Sequence, residues 1–208
     1  MKRNQKRTLS KVLAYIFQIS LSLIFVLPLV WMIVSSLKPE ADLFKDMSSI
    51  ATFFVSNPSL DNYKEMLSRS LVLKSTLNSM IYIVLILLIG IPVNALCGYV
   101  LARLRFPGKN FILSAIIVVL PNTKPVIAIA TVLTIVTHWS DFMWPLMAVT
   151  SPEHKTIQLA IQGFFTDPPV RYAPIMAVLV FSTIPILIVY LLLQKYYVQG
   201  IMSSGIKR

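Results

Sequence analysis

The sequence predicts an all-α fold, a polytopic membrane helix bundle formed by a single domain that covers residues 1–208. Three stretches contain no Asp, Glu, Lys or Arg: Val12–Leu37, Ser75–Ala102 and Tyr172–Gln194. About 20 apolar residues, each rising ~1.5 Å along a helix, cross the ~30 Å hydrocarbon core of a bilayer. Each stretch is therefore predicted to be a membrane-spanning helix, so the lipid bilayer is an expected partner.

The distribution of charge predicts the orientation of these helices. The chain has 19 basic residues, 8 acidic residues and a net charge of +11. All of the acidic residues lie in 38–70 and 138–171, whereas 1–11, 103–109 and 194–208 are basic and contain no acid. Short loops rich in Lys and Arg remain in the cytoplasm. Both chain termini are therefore predicted inside and residues 38–70 outside. This topology explains the basic clusters better than phosphate binding does, so no nucleic acid partner is expected.

The middle of the chain must supply one more outward crossing, which gives about four crossings, although five remain open. In the favoured arrangement, 126–149 crosses the membrane and is preceded by a short helix at 110–120. In the alternative, 110–137 forms one kinked span and places Lys124 near mid-depth. A charge at the bilayer centre costs at least ~2.5 kcal/mol unless it snorkels or is paired. The first arrangement avoids this cost.

The sequence contains none of the motifs that would indicate an enzyme or a metal centre. HExxH, CxxC, GxGxxG and P-loop motifs are absent, and Cys97 has no second cysteine with which to bind a metal. An intramembrane protease would need paired Asp residues or a nucleophile beside a base, and the predicted spans provide neither. No enzymatic activity, cofactor or metal is expected, so active transport would need energy from a partner or a gradient.

Several segments resemble the permease subunits of sugar ABC importers, specifically the maltose-type second permease. They occur in the expected order and cover most of the chain. The segments are LPLVWMIVSSLKPEADLF at 27–44, PSLDNYKEML at 58–67, NSMIYIV at 78–84, GYVLARLRFPGKN at 98–110, LPNTKPVIAIATVLTIVTHWSDFMWPL at 120–146 and QKYYVQGIMSSGIKR at 194–208. The resemblance implies a multi-pass cell membrane protein that acts in binding-protein-dependent sugar transport. It also implies three partners: a second permease subunit, ATPase subunits and an extracytoplasmic sugar-binding protein.

The sequence departs from this family in its middle. Family members have six spans and a cytoplasmic loop with a Glu-Ala-Ala signature, which docks into the ATPase as a helix in a groove. Here a segment similar to the third span runs directly from Leu120 into Pro121, which resembles the segment after that loop. The resemblance therefore implies an internal deletion and impaired coupling to ATP hydrolysis. The alternative function is a non-transporting remnant, or an assembly protein that only packs against other helices.

Four residues are candidates for the substrate pathway: Asn78, Trp139, Asp141 and Trp144. Carboxylates accept hydrogen bonds from sugar hydroxyls, and aromatic rings stack on sugar faces. The favoured interpretation is nevertheless structural, with Asn78 in interhelical packing and the aromatic cluster in an interfacial belt. Three further residues are candidates for contact with partner subunits: Lys124, Tyr197 and Gln199.

Overall fold

The computed structural model describes residues 2–69, 71–103 and 123–205. Within these ranges all regular secondary structure is helical, which confirms the predicted all-α fold. The helices are α1 (Lys2–Ser36), α2 (Glu40–Asp46), α3 (Asp61–Ser68), α4 (Leu71–Arg103), α5 (Thr123–Trp139), α6 (Met143–Ala148), α7 (Ile157–Thr166) and α8 (Tyr172–Gly205). Short 3-10 helices occupy Ile50–Phe53 and Pro152–His154.

Three of the described helices are long and apolar enough to cross a membrane. The candidate spans are Lys11–Ser36, Leu71–Val100 and Tyr172–Lys195, with mean hydropathy values of 2.3, 2.5 and 2.7. They coincide with the three charge-free stretches of the sequence. Little of their apolar surface is buried inside the protein, as expected for helices that face lipid or other subunits.

The predicted crossing at 126–149 is divided in the structure. Helix α5 ends at Trp139, and α6 begins only at Met143. A continuous helix would bring the ring of Pro145 against the carbonyl of Asp141 and would lose one backbone hydrogen bond. Instead, the Asp141 carboxylate accepts the Trp144 N–H at 3.3 Å. The predicted helix at 110–120 lies outside the described residues, and the route of the middle crossing stays a prediction.

The chain folds into two compact units. The first comprises the residues up to Arg69 together with Phe164–Phe181, and the second contains the other described residues. In the first unit, the buried Lys38 ammonium donates to Asp46 Oδ2 at 2.8 Å and to the Ala51 carbonyl at 2.7 Å. These bonds connect the end of α1 with α2 and the following 3-10 helix.

The buried amide of Asn62 connects α3 to the end of α1. Its Nδ2 donates to the carbonyls of Ser36 and Lys38 at 2.9 and 2.7 Å. Beside it, the Ser36 and Tyr63 hydroxyls are hydrogen-bonded at 2.8 Å. The Asn62 bonds satisfy the Ser36 carbonyl, which α1 leaves open at its end, and the Lys38 carbonyl just beyond it. The polar segment after α1 thereby acquires a defined structure.

The first turn of α8 is held by Glu40, a residue from the start of α2. The two Glu40 carboxylate oxygens accept the N–H groups of Tyr172 and Ala173, each at 2.8 Å. A carboxylate at this position also interacts favourably with the helix dipole. The adjacent Arg171 donates to the carboxylate of Glu65 on α3. The start of α8 is therefore fixed to α2 and α3 by charged hydrogen bonds.

Candidate functional site

Two of the four predicted pathway residues line one pocket in the second unit. This pocket, called the Trp144 pocket below, has a volume of about 180 Å³. Its walls come from α4, α6 and the segment around the second 3-10 helix. The lining residues are Asn78, Tyr82, Trp144, Pro145, Ala148, Val149, His154 and Thr156. The structure thus brings Asn78 together with Trp144, although 65 positions separate them in the sequence.

Asn78 holds a wall of the Trp144 pocket in place through its side-chain amide. Its Nδ2 donates to the carbonyls of Glu153 and Lys155 at 2.8 and 3.1 Å. The neighbouring Ser79 Oγ accepts the N–H of Ile157, the first residue of α7, at 2.8 Å. Both side chains satisfy backbone groups of the segment that follows α6. They therefore anchor this segment to α4.

A charged pair supports the same wall from the exposed side. Lys74 Nζ donates to Glu153 Oε2 at 3.1 Å. This hydrogen bond, with the attraction of the ammonium charge, lowers the pKa of Glu153 from its ordinary value of 4.5. Both side chains are more than half exposed, so water screens the pair and its contribution to stability is small.

The other two predicted pathway residues, Trp139 and Asp141, do not line the Trp144 pocket. Trp139 is only 4% exposed and packs in the second unit. Asp141 is half-buried, and its carboxylate accepts the Trp144 N–H at the start of α6. The Trp144 side chain, by contrast, is 68% exposed. Of the aromatic cluster in the sequence, Trp144 is therefore the side chain available to a solute.

The Trp144 pocket combines aromatic surfaces with a few polar groups, the usual composition of small-molecule sites. Trp144 and Tyr82 supply ring surfaces, and His154 and Thr156 supply polar atoms. In the part of the chain that the structure describes, the Thr156 hydroxyl is buried and has no hydrogen-bond partner. The volume is below the ~300 Å³ at which pockets for drug-sized ligands begin. The pocket is therefore large enough for only one ring or side group of a larger ligand.

A second cavity runs along α4 and α5 and is called the Gly90 groove below. Its volume is about 480 Å³, within the range of ligand pockets. The lining residues are Ile86, Leu87, Gly90, Ile91, Asn94, Ala95, Ile127, Ala130, Thr134 and His138. Most of the groove is apolar, but Asn94, Thr134 and His138 carry polar groups. Polar residues within membrane-spanning segments often mark solute pathways.

Sequence reasoning did not identify Tyr82 and His138 as site residues. Their ring centroids lie 6.3 Å apart with an interplanar angle of 63°. His138 Nδ1 lies 2.8 Å from the Thr134 carbonyl oxygen, so in the neutral ring Nδ1 carries the proton and Nε2 is an acceptor. The signal available in the sequence was that α4 and α5, two helices with few charges, each carry an aromatic side chain with a polar atom. Their pairing depends on the packing of α4 against α5.

The three partner-contact candidates lie on helices, Lys124 on α5 and both Tyr197 and Gln199 on α8. Their side chains are outside the described part of the structure. Among the residues that the structure describes, no group of three or more His, Cys, Asp or Glu could hold a metal ion.

Comparison with known proteins places these cavities in context. No protein-family model matches the chain. It is 28% identical over 87 residues to the arabinooligosaccharides transport system permease protein AraQ of Bacillus subtilis (strain 168), covering 42% of this chain and 31% of AraQ. It is 29% identical over 84 residues to the lactose transport system permease protein LacG of Rhizobium radiobacter, covering 40% and 31%. The chain is related to sugar ABC-importer permeases.

A third related permease is the probable ABC transporter permease protein YurM of Bacillus subtilis (strain 168). It is 31% identical over 88 residues, covering 42% of this chain and 29% of YurM. These results confirm the resemblance to sugar-importer permeases that the sequence segments indicated. The matched region spans about a third of the length of the curated relatives. Together with the three apolar helices, the relationship identifies the chain as an integral membrane protein.

Proposed function

We propose that this chain is a membrane permease component of an ATP-driven carbohydrate importer. The observation that carries the proposal is its similarity to several permeases, two of which are named for arabinooligosaccharide or lactose transport. Energy would come from a partner subunit, and no catalytic role is proposed for this chain. Its partners would be a second permease, ATPase subunits and an extracytoplasmic sugar-binding protein.

The chemistry of the Trp144 pocket supports a carbohydrate as the solute. The exposed indole of Trp144 offers a flat apolar face to the C–H surface of a sugar ring. His154, which is exposed, offers ring nitrogens for hydrogen bonds at the pocket wall. Of the predicted pathway residues, Trp144 is proposed as the direct contact. Asn78 and Asp141 position the elements around it, and Trp139 is buried.

The proposed topology has about four crossings, with both termini inside. The Trp144 pocket lies near the start of α4, which this topology directs outward. A solute released by a binding protein would therefore reach the pocket first. Lys124, Tyr197 and Gln199 are proposed as contacts with partner subunits at the inner side.

A second, separable part of the proposal concerns coupling to ATP. The sequence joins Leu120 directly to Pro121 at the point where the family resemblance implies a Glu-Ala-Ala loop. Without a helix that docks into the ATPase, the two conformations of the transporter would bind the ATPase equally well, and ATP could not shift the balance between them. We therefore expect weak ATP coupling in this chain.

Uptake of radiolabelled lactose and arabinooligosaccharide by a bacterium that lacks the corresponding permease gene tests both parts. Two versions of the full chain are compared, one unchanged and one with a Glu-Ala-Ala loop inserted between Leu120 and Pro121. Immunoblots of the membrane fraction confirm equal insertion. We expect uptake above background with the loop and little without it.

The outcomes separate the two parts of the proposal. If the loop-containing chain is inserted normally but no carbohydrate of either class enters, the importer function is wrong. If the unchanged chain already supports full ATP-dependent uptake, only the impaired coupling is wrong.

A further inference from the structure

A row of neighbouring residues on α4 connects the Trp144 pocket with the Gly90 groove. Asn78, Tyr82, Ile86, Gly90 and Asn94 follow one another at intervals of four residues, so each lies beside the next, and the row winds round the helix by about 40° per step. The first two line the Trp144 pocket and the last three line the Gly90 groove. At ~1.5 Å per residue, Asn78 and Asn94 are about 24 Å apart along the helix axis. The two cavities together therefore extend through most of a ~30 Å hydrocarbon core.

The two cavities meet at a pair of aromatic side chains. Tyr82 lines the Trp144 pocket, and His138 lines the groove. Their rings form an edge contact with centroids 6.3 Å apart. The hydrogen bond between His138 and the Thr134 carbonyl fixes the imidazole at this end of the groove. The Tyr82 ring has no comparable restraint among the described hydrogen bonds, so it is the side chain that can move aside.

The groove is open where α4 carries a glycine. A Cβ atom built on Gly90 would meet no atom within 4 Å. Glycine is therefore not required here by close helix packing, and its absence of a side chain leaves space between α4 and α5. The neighbouring polar residues Asn94 and Thr134 supply hydrogen-bonding groups to that space. Such a surface suits a solute with hydroxyl groups and apolar C–H faces.

We propose that the Tyr82–His138 pair is a gate that separates the Trp144 pocket from the Gly90 groove, and that its opening admits a neutral polyhydroxyl solute. The inference rests on the proposed carbohydrate-importer function and adds to it the residues that control access. A rotation of the Tyr82 side chain is sufficient to join the two cavities. The occupant of the groove is then solute and water.

Cysteine labelling of the full chain in sealed membrane vesicles tests the gate without any sugar or ATP. In a Cys97→Ser background, Gly90→Cys places a thiol in the groove, and Leu88→Cys places one at similar depth on a side that does not line it. The probe is a charged, membrane-impermeant methanethiosulfonate. Glu153→Cys, at a 69% exposed side chain whose backbone adjoins the Trp144 pocket, identifies the vesicle orientation in which the reagent approaches from the pocket side.

We expect Gly90→Cys to react slowly but measurably, and Leu88→Cys to remain unreactive. The reagent is charged and reacts with the thiolate, which forms where water reaches the thiol, so a wetter groove accelerates labelling. Tyr82→Ala should therefore accelerate labelling at position 90 by about tenfold or more, with no effect at 88. Tyr82→Phe, which keeps the ring, should remain slow. His138→Ala removes the other ring of the pair, so it should independently accelerate labelling at position 90.

Two results would overturn the gate. Equal, negligible labelling at 90 and 88 in every variant would mean that lipid or another helix fills the groove. Rapid labelling at 90 with Tyr82 and His138 intact would mean that the pair closes nothing. Neither result depends on carbohydrate uptake, so a failure of the gate is distinguishable from a failure of the importer function.

Discussion

Replacement of Asn78 by alanine would remove the two hydrogen bonds that tie α4 to the segment after α6. The Asn78 amide donates to the carbonyls of Glu153 and Lys155 at 2.8 and 3.1 Å. Each such bond contributes ~0.5–1.5 kcal/mol to stability. Because Asn78 is half-buried and water would replace part of the loss, we expect the free energy of unfolding to fall by about 1–2 kcal/mol. For a chain of this size the melting temperature would fall by about 2–8 °C.

Thermal unfolding in detergent, followed by near-ultraviolet circular dichroism, measures this change. Asn78→Asp should destabilise more than Asn78→Ala, since a carboxylate would then face two carbonyl oxygens. Asn94→Ala is the matched control, because Asn94 lies on the same helix and is exposed, and its loss should change stability by less than ~0.5 kcal/mol. Unchanged stability in Asn78→Ala, accompanied by a loss of uptake, would refute the anchoring role and make Asn78 a solute contact.

Three further substitutions test the polar contacts of both units, each by thermal unfolding. Lys38→Met leaves the carboxylate of Asp46 without its buried cation and should lower the free energy of unfolding by about 1.5–3 kcal/mol. The control Lys45→Met, on an exposed position, should lower it little. Equal effects of the two substitutions would contradict the buried pair. Glu40→Gln keeps one acceptor for α8 and should cost about 1 kcal/mol, and no change would show that the carboxylate does not cap the helix. Lys74→Met should reduce the loss of folding stability at acidic pH. Because the pKa of Glu153 is lowered in the folded chain, its stabilisation is present above about pH 4.5 and is lost as the pH falls through the folded pKa. An identical pH profile in Lys74→Met would contradict this pair.

The long helices were predictable because the bilayer imposes a simple requirement on sequence. A helix such as α4 must avoid charge over about 20 residues, and that pattern is visible without any knowledge of tertiary contacts. The division of 126–149 was harder to predict. Hydropathy continues through the break, and the local signal is Pro145, which would clash with the Asp141 carbonyl in a continuous helix. This signal is not decisive, because α4 continues through Pro92.

The candidate site was only partly predictable, because its contacts join distant parts of the sequence. Asn78 and Trp144 were identified from residue type, but the bonds of Asn78 reach carbonyls that carry no side-chain signal. The carbonyl partners and the Tyr82–His138 pair depend on how α4 packs against its neighbours, and packing register cannot be read from apolar composition. The cap of α8 by Glu40 depends in the same way on a contact across more than a hundred residues.

The most direct test of the account is carbohydrate uptake by the loop-containing chain with leucine at one of two glycines of α4. Gly90 lines the groove and Gly98 does not, and in both cases an added Cβ would meet nothing within 4 Å. Neither substitution should disturb the fold, so the pair isolates the effect of filling the groove. We predict that Gly90→Leu abolishes uptake of labelled oligosaccharide and that Gly98→Leu leaves it unchanged. Equal uptake by the two variants, at equal membrane insertion, would contradict a solute route through the Gly90 groove.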